Sequence, residues 1–230
     1  MNKNIKNLGT VLFFGRKNCS YSKKVKKFLQ KKSKILYFCE SKKKGEKIKK
    51  KYLRLKYNYI FCFRSFYILK ENLLKKVSQE AINFHPGPPE YRGTGCVNYA
   101  LYDNSKFYGC TAHLVNKKID SGKIISVKKF KINQKEGVDK VLLKTYKVMT
   151  QQAISIINQI NKNPKNIKIW INKNKNIKWS KKIRKLNYLN KFYEIKKHIS
   201  KRDLINKIRA TNTIKFKPYL YIHGKKFILE

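Results

Sequence analysis

Apolar and polar positions alternate along the chain in blocks whose period switches between strand-like and helix-like. Thr10–Phe14 is a short apolar run closed by Gly15. Asn18 and Ser20 can then cap a helix whose apolar positions recur from Tyr21 to about Gln30. Ile35–Cys39 and Tyr59–Phe63 have strand character, and the lysine-rich stretch Lys42–Lys56 between them suits a solvated helix or loop. Leu69–Val77 predicts a short helix, Ala81–Phe84 a fourth strand, and Gly95–Tyr102 a helix with Val97, Ala100 and Leu101 on its apolar face. Phe107–Val115 and Lys123–Phe130 predict two more strands around the loop 116–122. From Gly137 to Ile160, residues such as Val141, Val148, Ala153, Ile156 and Ile160 mark a long amphipathic helix.

This order predicts an α/β fold: a mainly parallel, Rossmann-like sheet with flanking helices. The Lys/Asn-rich segment 161–168 and Pro164 suggest a boundary, giving a domain over 1–160 and a small α+β appendage over 161–230. In the appendage, Ile167, Ile169 and Ile171 alternate with polar or aromatic neighbours, and Ile177–Trp179 follows a turn-like stretch, which predicts a hairpin. Its tryptophans could stack single-stranded nucleic acid or simply anchor the hairpin. Ser200 and Asp203 open a helix to Ala210, and Tyr219–Ile222 and Lys226–Leu229 form a strand pair turning at His223 and Gly224.

Composition adds a charge of +45, from 57 basic and 12 acidic residues among 230. Lysine supplies 50 of the basic residues and arginine 7, and asparagine (22) and isoleucine (26) are also abundant. All three enriched types have A/T-rich codons, so nucleotide bias can generate this charge. A nucleic-acid surface stays open, although arginine, which suits bidentate phosphate recognition, is scarce. Five scattered cysteines without a Cys-x-x-Cys pair suit reduced thiols in a cytoplasm, and no metal site is expected. The longest uncharged run, Val148–Asn161, is shorter than the roughly 18 residues of a membrane span.

Chemistry concentrates in two places. Asn83 and His85 lie two apart at the carboxyl end of a predicted strand, so their side chains share a face where open α/β sheets bind ligands. Three of the five prolines follow directly and stiffen the loop. Asp120, in Ile119-Asp120-Ser121-Gly122, is the candidate partner of His85. A carboxylate can orient an imidazole, and an amide N–H can stabilise a developing oxyanion. Donor, proton handler and carboxylate together suit attack of an amine on an acyl carbon, though Asn-x-His can also be structural and Asp-Ser-Gly only a turn.

Asn83-Phe84-His85-Pro86, then Tyr91-Arg92-Gly93, then Asp120-x-Gly122-x-Ile124-Ile125 resembles the Asn, His and Asp set of the folate-dependent formyltransferases. The resemblance is strong from about Tyr59 to Phe130. It implies a cytoplasmic enzyme that moves a formyl group from 10-formyltetrahydrofolate to a primary amine, with Asn83, His85 and Asp120 as catalytic residues. It implies folate contacts from Arg64, Ser65, Phe66, Ile68, Leu69, Lys118, Ile119 and Gly122. Tyr91, Arg92, Gly93 and His113 are expected near the acceptor. Gly109-Cys110-Thr111-Ala112-His113 resembles the strand before the Asp loop in glycinamide ribonucleotide formyltransferases. Ile177-Lys178-Trp179-Ser180 and Ile208-Arg209-Ala210 resemble segments after the catalytic domain in methionyl-tRNA and sugar-nucleotide formyltransferases.

The loop Gly87-Pro88-Pro89-Glu90-Tyr91 departs from a common Ser-Leu-Leu-Pro type and looks closer to enzymes acting on amino sugars attached to nucleotides. An amino-sugar nucleotide is therefore slightly preferred as acceptor, with methionyl-tRNA the alternative. A formyltetrahydrofolate hydrolase and an inactive nucleic-acid-binding scaffold are further alternatives, and a homodimer is left open.

Overall fold

The computed structural model describes residues 7–229. The chain runs β1 (Thr10–Arg16), α1 (Ser20–Gln30), β2 (Ile35–Ser41), α2 (Lys50–Arg54), β3 (Tyr57–Phe63), α3 (Glu71–Leu74), β4 (Val77–His85) and the two-residue β5 (Arg92–Gly93). It continues with α4 (Cys96–Tyr102), β6 (Phe107–Leu114), β7 (Ile124–Lys131), α5 (Val138–Lys162), α6 (Asn166–Lys173) and β8 (Ile183–Arg184). Then come α7 (Leu186–Phe192), α8 (Lys201–Thr211), β9 (Tyr219–Ile222) and β10 (Lys225–Ile228).

The main sheet has the order β2-β1-β3-β4-β6-β7. Its first four strands are parallel, and β6 and β7 extend it antiparallel, so the mainly parallel Rossmann-like expectation holds. Strands buried on both faces need near-continuous apolar sequence, which explains the unbroken burial of Val11–Gly15 in β1. One face packs Phe13, Phe61 and Phe84 against Val25 and Leu29 of α1 and Met149 and Ile156 of α5. The other covers Leu12, Phe14 and Ile60 with Tyr67 and Leu73. Each such side chain, fully buried, contributes about 1.5–3 kcal/mol.

Three local expectations are corrected. The α1 cap is Cys19, whose sulfur accepts from Ser22 N–H at 3.4 Å, while Asn18 takes the left-handed turn at φ 55°. The stretch 167–179 is no hairpin. Ile167, Trp170 and Ile171 recur at helical spacing on α6 and pack against the core, leaving Ile169 exposed. Asn174 fastens the end of α6 by donating to Ile125 O at 2.9 Å. The predicted helix over Leu69–Val77 is shorter, with Val77 already opening β4, and only Lys50–Arg54 of the lysine-rich stretch is helical. Ser200 caps α8 through Asp203 N–H, and β9 and β10 pair antiparallel, both as the sequence predicts.

Candidate active site

The last residues of β4 carry Asn83 and His85 on one face, and antiparallel pairing with β6 sets His113 opposite Asn83. Asn83 Nδ2 donates to His113 Nε2 at 3.1 Å. His113 Nδ1 lies 2.8 Å from the Leu114 carbonyl oxygen, so the ring carries its hydrogen there and offers Nε2 as acceptor. Asp120 then enters from the β6–β7 loop in a left-handed conformation, φ 44°, which Asp tolerates better than most residues. Its Oδ2 stands 3.3 Å from His85 Nδ1 and its Oδ1 3.5 Å from His113 Nε2. The structure thus joins all three predicted catalytic residues and His113 in one cluster, the two histidines buried and Asn83 and Asp120 partly so.

Burial pushes the His85 pKa below its ordinary value. The Asp120 carboxylate opposes that fall, while His113 and Arg92 add to it. Burial raises the Asp120 carboxyl in turn, but His85, His113 and Arg92 together outweigh it and hold it low. The ground state is therefore a neutral imidazole beside an ionised carboxylate. The carboxylate holds the ring hydrogen on Nδ1, leaving Nε2 near Tyr91 O at 3.4 Å. An imidazolium formed during reaction finds an acceptor at each nitrogen.

The Asp loop is held from several sides. Arg92, 8% exposed, donates from Nε and Nη2 to Ile119 O at 3.1 and 2.6 Å. Gly122 packs so closely that a Cβ would overlap the Leu114 carbonyl oxygen. Its own carbonyl oxygen accepts from Trp179 Nε1 at 2.8 Å. The Trp179 ring stands edge-on to His113 and His85, with centroids 5.0 and 5.9 Å away. Trp179 thereby fulfils the anchoring expectation, from a loop rather than a hairpin, and its place in the cluster escaped sequence reasoning. The available signal was its chemistry: an indole among lysines, in a segment already likened to post-catalytic segments.

Other expected site residues fall at varied distances from this centre. Tyr91 presents its backbone to His85 and donates its hydroxyl to Asp103 at 3.2 Å. Gly93 pairs with Arg184 in the short β5/β8 ladder. The segment after β3 lies at the same carboxyl edge of the sheet. There Arg64 stacks 3.5 Å over Tyr146 and donates to Cys19 Sγ at 3.1 Å. Ser65 Oγ accepts from Tyr67 N–H, and Phe66 N–H donates to Ser41 Oγ while its ring lies beneath Arg16. Leu69 is buried in the core rather than facing the edge. Ile68 and Ile119 stand 65% and 54% exposed, and Lys118 closes the loop by accepting from Ser121 Oγ. Cys96, missed by sequence reasoning, places Sγ 3.7 Å from His85 Nε2, and burial pushes its thiol up to about 12, so it is no nucleophile at neutral pH. A surface depression of about 410 Å³ by Lys135, Ile205 and Arg209 is not lined by any member of this cluster. Among the described residues, no His, Cys, Asp and Glu group is arranged to hold a metal, and no helix is long and apolar enough to cross a membrane.

Comparison with known proteins gives the arrangement a context. A model of the formyl transferase family matches residues 13–157. A 143-residue stretch, 62% of the chain, is 27% identical to the methionyl-tRNA formyltransferase of Mycoplasmopsis pulmonis and covers 47% of it. The chain spans less than half the length of the curated relatives it matches. A 4-N formyltransferase from Francisella tularensis shares the fold at a TM-score of 0.75 and 20% identity, covering 95% of this chain and 96% of that one. The N-formyltransferase from Helicobacter canadensis, solved in complex with folinic acid and dTDP-3-aminofucose, shares it at 0.68 and 17%, covering 93% and 84%.

Proposed function

The chain belongs to the formyl transferase family, and on that premise we propose that it transfers a formyl group from 10-formyltetrahydrofolate to a primary amine. The observation that carries this reading is the Asp120 carboxylate set between His85 and His113, with Asn83 beside them. The segments expected to meet the donor suit a flat, partly apolar ring, because Ile68 and Ile119 each stand exposed on their loops.

Attack of the amine nitrogen forms an N–C bond and drives the carbonyl electron pair onto oxygen. Asn83 stabilises that oxyanion through its amide N–H, and His85 does so as the imidazolium it becomes once the amine proton reaches Nε2, its Nδ1–H still held by Asp120. Asp120 keeps His85 in orientation, and the amine proton is taken by this Asp120–His85 pair, directly or through one water. Collapse restores the carbonyl and breaks the bond to the donor nitrogen, which takes up that proton from the pair and leaves as tetrahydrofolate. The direct route needs no covalent enzyme intermediate, in keeping with a Cys96 thiol that stays protonated.

An amino-sugar nucleotide is the preferred acceptor, supported by the Gly87-Pro88-Pro89-Glu90-Tyr91 loop. Methionyl-tRNA is the second reading, favoured by the +45 charge. A cytoplasmic setting belongs to the same proposal. Incubation with 10-formyltetrahydrofolate and a panel of amines, including aminated sugar nucleotides and methionyl-tRNA, tests it. Formate release without any formylated amine would replace transfer by hydrolysis.

A further inference from the structure

The segment that follows α6 does more than leave the sheet. Trp179 donates to Gly122 O at 2.8 Å, and Ser180 N–H donates to Pro89 O at 3.0 Å. Residues 183–184 then add the parallel β8 strand to β5, Arg184 O accepts from Thr94 N–H at 2.7 Å, and Arg184 Nη1 donates to Glu90 O at 3.2 Å. Gly93 meets this strap at φ 100°, where any Cβ would overlap the Arg184 backbone. One short segment is therefore bonded both to the proline-rich loop after His85 and to the loop that carries Asp120.

We propose that Trp179 is a positioning residue of the catalytic cluster, fixing the Asp120 loop through Gly122 and closing one side of the His85–His113 pair. The proposal rests on the formyl-transfer reading for its kinetic consequence but not for its geometry. The bonded carbonyl is two residues from Asp120, so freeing it loosens the carboxylate that both histidines face. The indole planes meet the His85 and His113 rings at 71° and 85°, an edge-on cover that keeps water from that side. The groups that face His85 are Asp120, His113, Arg92 and Cys96, together with the Tyr91 carbonyl. Removing the indole exposes His85 to water and lets its titration rise toward the ordinary histidine value, because burial is the chief cause of its low position.

The test uses the full chain and two readouts. Trp170→Phe leaves Trp179 as the sole tryptophan. Its emission should fall as pH drops below the ordinary histidine range, since an imidazolium at His85 beside the indole quenches it, and adding His85→Asn should abolish that dependence. Separately, Trp179→Phe keeps an aromatic cover but loses the N–H. It should lower kcat about tenfold, the weight of one net hydrogen bond, with the folate KM little changed and thermal unfolding near that of the wild type. Trp179→Ala should also move the acid limb of the kcat/KM profile to higher pH. A pH-independent Trp179 emission, or wild-type kcat and pH profile in both Trp179 variants, would overturn the proposal. A wild-type protein that formylates no amine would sink the functional reading instead, leaving the emission titration to decide whether Trp179 covers the histidines.

Discussion

Arg92 holds Ile119 by two hydrogen bonds to a single carbonyl oxygen, so a buried guanidinium from the loop after His85 sets the backbone of the loop bearing Asp120. Only a planar fork can deliver both bonds at once. Arg92→Lys should therefore lower kcat about 10- to 100-fold, the equivalent of a charged hydrogen bond of roughly 1.5–3 kcal/mol, with a smaller change in folate affinity. Single-turnover rates beside donor titrations would check this. Unchanged turnover would show that Asp120 needs no such support.

Asp120→Asn keeps the shape of the side chain and removes the charge that orients His85 and lets the pair take the proton. Formyl transfer should fall by about 10²–10⁴ while the donor still binds. Equilibrium binding and transfer rates measured on the same preparation separate the two effects, and normal turnover would refute the assigned role.

The sign of the pH dependence follows from His85. Its folded-state pKa lies below the unfolded value, so between the two the unfolded chain binds the extra proton. The His85 contribution to stability is present above about pH 6.5, the ordinary histidine value, and is lost as pH falls toward the folded pKa. Asp120 acts in the same direction at lower pH, because its pKa is also depressed. Urea midpoints should drop between neutral and mildly acidic pH, and His85→Asn should flatten that slope. A midpoint rising on acidification would contradict the burial assigned to His85.

Gly122→Ala places a methyl group against the Leu114 carbonyl oxygen, where backbone rather than a flexible side chain must move. Overpacking of this kind costs about 1–3 kcal/mol, read as a lowered denaturation midpoint. Transfer should suffer more than stability alone explains, since the shift displaces the residue two away, Asp120. Unaltered activity with an unaltered midpoint would show that the loop is looser than the geometry describes.

Acceptor size can be read from salt. If methionyl-tRNA is the acceptor, log affinity should fall by about 0.7–0.9 per phosphate contact for each tenfold rise in salt. An amino-sugar nucleotide, with few phosphates, should give a shallow slope. Affinities at several salt concentrations decide between them.

Much of this site was legible because its parts are local. Asn83 and His85 are two apart on a strand, and the proline run that follows marks the stiff loop beyond them. Asp120 stood out as one of only four aspartates. The α6 segment misled because Ile167, Ile169 and Ile171 satisfy a two-residue period while Ile167, Trp170 and Ile171 satisfy a helical one, and packing on the core chose the latter. Cys19 as a cap was hidden because sulfur is an unusual acceptor there. Arg92 reads as a ligand-facing cation in the sequence, and only the fold shows its guanidinium bonded to backbone. The Trp179 contact spans 57 residues, a separation at which no local pattern carries information.

That same separation has a bearing on biosynthesis. Asn83, His85 and Asp120 are all translated well before Trp179 and Arg184, whose bonds hold the two loops together. A nascent chain emerging from the ribosome therefore owns its catalytic side chains for a time without the strap that fastens them. The bonds that fasten them form only once translation has passed residue 184.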